Sequence, residues 1–154
     1  MIVYRITRDK YARDLSGKGA EKIGGRWNSK GTAILYCSNS IAHASMEVLV
    51  NLPFGNPPPG YVLITIEIPD SIKESVLSAK DLPKHWNMYP HLEQTQKVGD
   101  KFIQEGKHVL LKVPSASVQG DFNYLLNPKH KDFVKVKIKK VEPFNFDNRL
   151  FKRD

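Results

Sequence analysis

Residues 24–50 read GGRWNSKGTAILYCSNSIAHASMEVLV, and the fold turns on how this stretch divides. TAILYC (32–37) is apolar throughout and predicts a buried strand. Ser40 stands one residue ahead of an apolar-periodic run, IAHASMEVLVNL, and predicts an N-cap with a helix behind it. Ile41, Ala44, Val48, Leu49 and Leu52 then share one helical face, which turns His43 and Glu47 outward. Ahead of the strand, Gly24 and Gly25 precede Arg26 and Trp27, two residues that a loop made only to turn does not need.

Working outward, IVYRIT (2–7) predicts a first strand, and residues 14–31 are rich enough in Gly, Lys and Ser to predict one long loop. PFGNPPPG (53–60) breaks the chain before the strand YVLITIEI (61–68), and PDSIKESVL (69–77) reads as a turn with a short helix. Residues 81–106 mix loop and helix, HVLLKV (108–113) returns to strand, and NYLLNPKH (123–130) is a short strand or turn closed by Pro128. FVKVKIKKVEPF (133–144) is the last strand. No repeat or linker interrupts this order, so residues 1–154 are expected to form a single α+β domain.

A chain of 154 residues can bury a sizeable core without staples, and its single cysteine, Cys37, has no partner within the chain. No CxxC pair, HExxH or zinc-ligand spacing occurs, so no metal site is expected. The opening MIVYRITRDKYARD carries charge early and has no long apolar run, which predicts neither signal peptide nor membrane span, and a cytoplasmic setting. The net charge of +8 suits polyanions, nucleotides or an acidic protein. Much of it lies in KDFVKVKIKK, where Lys135, Lys137 and Lys139 alternate with apolar residues, as on an edge strand guarded by lysine. Aromatic residues to stack bases are missing from that run, which weighs against a single-strand nucleic-acid stripe.

Two nucleotide motifs fail on chemistry. Near GAEKIGGR, Arg26 stands in place of the P-loop lysine and Trp27 in place of the magnesium-binding hydroxyl. A GxGxxG is broken where Lys22 replaces the third glycine. The Gly24–Gly25 pair still permits close approach of backbone to a ligand, and Arg26 offers a planar charged fork suited to pyrophosphate. An ordinary surface arginine with Trp27 as core anchor fits the residues equally well. Glu47 alone reads as a solvated helix carboxylate, Tyr36 as a core residue with a satisfied hydroxyl, and Ser115 and Asn127 as turn caps. No GxSxG elbow surrounds Ser115.

Taken together, YRIT, residues 24–50, VPSASV (113–118) and NYLLNPKH, in this order, resemble the RES domain family, named for its Arg, Glu and Ser. Arg26, Tyr36 and Glu47 stand in the family's order and spacing; Phe102, Ser117 and Lys131 depart from it at positions that read as packing. The resemblance implies an ADP-ribosyltransferase-like fold, with a mixed sheet core and flanking helices around a dinucleotide cleft. It implies a toxin of a bacterial type II toxin–antitoxin pair that degrades NAD+ by hydrolysis or phosphorolysis. NAD+ is then substrate and not cofactor, with phosphate as an optional co-substrate. The implied partner is an Xre-like helix-turn-helix antitoxin, through which alone DNA is met. A dimer within that complex is left open. Carried over to this chain, Glu47, Arg26, Tyr36 and Ser115 form the catalytic set. Arg5, Gly25, Trp27 and Asn123 serve the dinucleotide, with Trp27 supporting the loop from beneath. An ADP-ribosyltransferase acting on a protein or nucleic acid fits nearly the same residues, and a non-enzymatic nucleic-acid binder fits the charge but leaves residues 24–47 unexplained.

Overall fold

The computed structural model describes residues 1–53 and 59–151. Among the described residues seven strands form one sheet in the order β4-β5-β6-β2-β1-β3-β7. In chain order they are β1 (Ile2–Arg8), β2 (Leu35–Ser38), β3 (Tyr61–Glu67), β4 (Glu74–Val76), β5 (Leu110–Pro114), β6 (Phe122–Leu126) and β7 (Lys137–Phe144). All neighbours run antiparallel except β4 and β5, so the sheet is mixed. Among the described residues three α-helices flank it: α1 (Lys18–Ile23), α2 (Ile41–Leu49) and α3 (Glu93–Glu105). The α+β class expected from the sequence is the one observed, and no helix among the described residues is long and apolar enough to cross a membrane.

The two halves of the sheet meet at a narrow seam. β1 pairs with β3 through seven register positions but with β2 through one, Tyr4↔Ser38. One face is filled by Val3, Leu35, Cys37, Ile64, Ile66, Leu110 and Leu126. The opposite face carries two separate clusters. Trp27, Ile34, Leu111, Val113 and Leu125 pack with Phe102 of α3, while Ile6 and Leu63 pack with Ala44 of α2. A strand alternates its side chains between faces, so β2 sends Leu35 and Cys37 into the first core and leaves Tyr36 and Ser38 on the helix side. Polar groups gather in the gap between the two helix-side clusters.

Local chemistry accounts for most of the elements and for the corrections. Ser40 caps α2 as its type predicts, its hydroxyl accepting from the His43 N–H at 3.1 Å. The stretch 14–31 is not all loop: α1 forms one short run of helix, entered through Gly17 at φ 72° and ended by the Gly24 N–H on the Ala20 carbonyl. Residues 69–77 contain no helix, because Glu74–Val76 find a parallel partner in β5. In the lysine-rich tail, Lys131–Lys135 form a 3-10 turn and only Lys137 onward is strand, so Val134 is 68 % exposed. β7 is nonetheless the sheet edge that the lysines suggest. The expected break at 53–60 falls mainly on residues outside those described.

The face assigned to α2 also changes. Ile41 and Met46 are each 40 % exposed, whereas His43 is 1 % exposed. Ala44, Val48 and Leu49 sit against β1 and β3, and the adjoining stripe, His43 and Glu47, points into the polar gap. The helix is therefore buried on two neighbouring stripes, one apolar and one polar. Hydrophobic periodicity registers only the first.

α3 is held against the loop of residues 24–31 by Gly99, where a Cβ would run into the Trp27 carbonyl group and come within 3.2 Å of Ile34 Cδ1. Gly99→Ala is expected to destabilise the fold by about 1–3 kcal/mol through this overpacking. Thermal unfolding checks it, since each kcal/mol corresponds to roughly 2–4 °C at this size. An unchanged Tm would mean that α3 can move off the loop without loss.

Candidate active site

The loop ahead of β2 is a tight turn. The Gly25 N–H donates to the Asn28 carbonyl at 2.9 Å, which leaves Arg26 and Trp27 at the tip. Asn28 is fully buried and organises the turn: its Nδ2 donates to the carbonyls of Ala20 (2.8 Å), Thr32 (2.9 Å) and Ser29 (3.2 Å). Its Oδ1 accepts from the Tyr36 hydroxyl at 2.7 Å, and that hydroxyl accepts from the Trp27 N–H at 3.1 Å. Burial pushes the Tyr36 hydroxyl above its ordinary titration range, so it stays a neutral clip. Gly25 is required by this clip, because a Cβ there would lie 2.9 Å from Tyr36 Oη and 3.0 Å from Asn28 Oδ1. From the other side α3 closes on the turn, Gln96 Nε2 donating to the carbonyls of Gly25 (3.0 Å) and Asn28 (3.2 Å), and Asp100 accepting from the Ser29 N–H at 2.9 Å.

Trp27 is 1 % exposed in the core under α3, tilted against Trp86 at 6.0 Å. It lies beneath the loop, supports it, and presents no face to a bound molecule. Arg26 points the other way. Its Nη1 donates to the carbonyls of Trp86 (2.7 Å) and Met88 (2.9 Å), pinning the segment between β4 and α3. Among the described residues Nε and Nη2 have no hydrogen-bond partner, so a planar edge of the guanidinium is left for an anion. Burial lowers the Arg26 pKa, while the Glu47 carboxylate, near enough to act on it, raises it.

Glu47 is the centre of the polar gap. Its Oε1 takes hydrogen bonds from Ser117 Oγ (2.6 Å), Asn123 Nδ2 (3.0 Å) and Ser115 Oγ (3.4 Å), and His43 Nε2 lies 3.1 Å away. Among the described residues none of these contacts reaches Oε2. Ser115 is itself fixed, accepting from the backbone N–H groups of Ser117 (3.2 Å) and Val118 (3.0 Å) and lying 2.9 Å from His43 Nε2. Burial alone would push the Glu47 pKa up; the hydrogen bonds from His43, Ser117 and Asn123 more than reverse this and hold it at about 2. The carboxylate is therefore charged at any physiological pH. It can stabilise positive charge and orient a hydroxyl or water, and it cannot serve as an acid.

The structure brings Glu47, Ser115 and Asn123 into direct contact, with Tyr36 and Gly25 building the loop that carries Arg26. It does not bring Arg5. That side chain lies on the opposite face of β1, donating from Nη1 to the Asp14 carbonyl at 3.2 Å and the Tyr11 carbonyl at 3.5 Å. The alternation of β1 decides this, for Arg5 pairs with Ile64 in the first core while Tyr4 pairs with Ser38 at the seam. Sequence reasoning passed over Ser117 as packing and His43 as exposed, although both touch the carboxylate. The signal for His43 was present in its four-residue spacing from Glu47.

With this geometry in view, comparison with known proteins gives a consistent result. The RES domain family matches residues 2–147. The chain belongs to the RES domain family. It is 39 % identical to Toxin Res of Pseudomonas putida over 153 residues, covering 98 % of this chain and all of that protein. It is 38 % identical over 144 residues to a Sphingobium protein named Prs ADP-ribosylating toxin, covering 92 % of this chain and 89 % of that one. In fold it resembles the crystal structure of the Mycobacterium tuberculosis MbcT–MbcA toxin–antitoxin complex, with a TM-score of 0.66 at 18 % identity over 93 % of this chain and 83 % of that chain. The RES relatives matched along their length are thus named as toxins, and the chain has the fold of a chain in that complex.

Two outcomes follow from the site's construction. Tyr36→Phe leaves the Trp27 N–H and Asn28 Oδ1 without their partner and should lower stability by about 1–3 kcal/mol in denaturant unfolding. A variant as stable as the parent would mean that the clip is dispensable. Glu47 has a folded pKa depressed from 4.5 to about 2, so its ionisation contributes stability that is fully present above pH 4.5 and lost as pH falls toward 2. The stability of the parent relative to Glu47→Gln should decline across that window and stay flat above it. Parallel curves would remove the charge from the fold's energetics.

Proposed function

We propose that this RES domain is the toxin half of a bacterial toxin–antitoxin pair and acts in the cytoplasm by breaking the bond between nicotinamide and ribose in NAD+. The observation that carries the reading is a carboxylate, Glu47, held ionised by donors that all converge on one oxygen; an arginine with two donor nitrogens unpartnered among the described residues, Arg26, adds to it. Cleaving the C1′–N1 bond sends its electron pair to the ring nitrogen, releasing neutral nicotinamide and building positive charge on the sugar. Glu47 answers that charge from Oε2 and orients the ribose hydroxyls or the incoming nucleophile. Nicotinamide needs no proton to leave, which suits a site whose carboxylate stays ionised. Water attacks C1′ through oxygen and gives its proton to solution; phosphate in the same position yields the phosphorylated sugar. Arg26 binds the pyrophosphate through Nε and Nη2. An Xre-like antitoxin with a helix-turn-helix domain neutralises the enzyme by covering the cleft, a partnership supported by the toxin–antitoxin complex that shares this fold.

A second reading, transfer of ADP-ribose to a protein side chain, is favoured by one observation, the name of the Sphingobium relative. It uses the same Glu47 and Arg26 and differs in the acceptor alone.

Steady-state kinetics separates the two roles. Glu47→Gln should stay folded near neutral pH, at a Tm below the parent's, and lose roughly 100-fold or more in kcat, because a preorganised charge acts chiefly in the transition state. Arg26→Ala should act mainly by raising KM. Parental turnover by folded Glu47→Gln would remove that residue from the chemistry, and an unchanged KM in Arg26→Ala would move the phosphate grip elsewhere.

A further inference from the structure

We infer that His43 is the positioning residue of this site: through Nε2 it fixes Oε1 of Glu47 and Oγ of Ser115 together, so that Glu47 meets its substrate through Oε2 alone. This rests on the reading of Glu47 as the working carboxylate. A 1 % exposed imidazole in contact with a carboxylate, a serine and an amide has no contact left over for a substrate, so its effect must pass through those partners.

The ring's surroundings decide where its proton lies. Nδ1 is 2.9 Å from Asn39 Oδ1 and 3.9 Å from Asp121 Oδ2, while Nε2 is 3.1 Å from Glu47 Oε1 and 2.9 Å from Ser115 Oγ. Nδ1 and Nε2 both face oxygen acceptors, and the carboxylate is the stronger of the two, so Nε2–H is the donor to Glu47. Ser117 adds the shortest bond from the far side at 2.6 Å, and Asn123 the third at 3.0 Å. The donors come from α2, from the turn after β5 and from β6, so Oε1 is triangulated by three separate elements. A carboxylate whose one oxygen is held from three directions cannot turn about its own axis without breaking those bonds. The same four-residue spacing that places His43 below Glu47 on α2 makes the pair rigid as a unit. Ser38, 3.4 Å from Asn123 Oδ1, continues the network to the seam between β1 and β2.

The test compares His43→Leu, which removes the donor, with His43→Gln, whose amide N–H2 can reach the Nε2 position, and with Ser117→Ala. NAD+ consumption is followed as kcat and KM, and the Glu47 carboxyl carbon is titrated by 13C NMR. His43→Leu should lose about 10- to 100-fold in kcat with KM held within about twofold, and its Glu47 should titrate at higher pH than in the parent. His43→Gln should recover most of both, and Ser117→Ala should shift both in the direction of His43→Leu. A folded His43→Leu with parental kcat and titration overturns the inference, as does a folded His43→Gln no better than His43→Leu. Should His43→Leu fail to fold, His43→Gln and Ser117→Ala decide, and parental values in Ser117→Ala count against shared anchoring of Oε1. If the parent consumes no NAD+, the proposed function falls while the titration still decides whether His43 holds Glu47.

Discussion

Everything at this site depends on the saturation of a single oxygen. Oε1 of Glu47 collects donors from a helix, a turn and a strand that are distant in sequence, and their convergence fixes where α2 lies on the sheet. A half-buried carboxylate without those partners would be driven toward its neutral form, and the helix would have no reason to turn a polar stripe inward. The hydrogen bonds that keep the charge are also those that aim it. In the proposed function stability and chemistry therefore meet in one group, where the hydrogen bonds that aim the charge also offset the cost of burying it.

The second constraint is the turn that carries Arg26. Asn28 and Tyr36 satisfy each other and three backbone carbonyls, Gly25 leaves room for them, and Gly99 lets α3 press down on the Trp27 backbone. An arginine expected to bind phosphate gains from such rigidity, since little of its own freedom remains to be lost on binding. The other end of its guanidinium is committed to Trp86 and Met88, so the segment between β4 and α3 takes its position from the same residue. β2 lies between this turn and α2 in the chain and leads through Ser40 into the helix, so the strand links the positions of the two.

Much of this could be read in the sequence, and the parts that could not share a cause. The strands announced themselves by apolar runs, Ser40 by its type and position, and the order of Arg26, Tyr36 and Glu47 by resemblance to a family. What stayed hidden depends on contacts between residues far apart in the chain. Periodicity counts apolar side chains, so it turned His43 and Glu47 outward although each finds its partners some 70 residues away, at Ser115 and Ser117. Ser117 looked like packing because nothing local distinguishes a serine that donates to a buried carboxylate from one that does not. Arg5 was misplaced because a resemblance assigns residues to a site without regard to which face of a strand they occupy. Gly99, with an unremarkable helical neighbourhood in sequence, is decided wholly by the Trp27 carbonyl it meets.

The most direct measurement is to incubate the purified, antitoxin-free protein with NAD+, with and without phosphate, and to identify the products by mass-resolved chromatography. Nicotinamide together with ADP-ribose, or with its phosphorylated form when phosphate is supplied, is the expected result, and it would also name the acceptor. Intact NAD+ beside a well-folded protein would contradict the assignment of Glu47 to the cleavage of the nicotinamide–ribose bond.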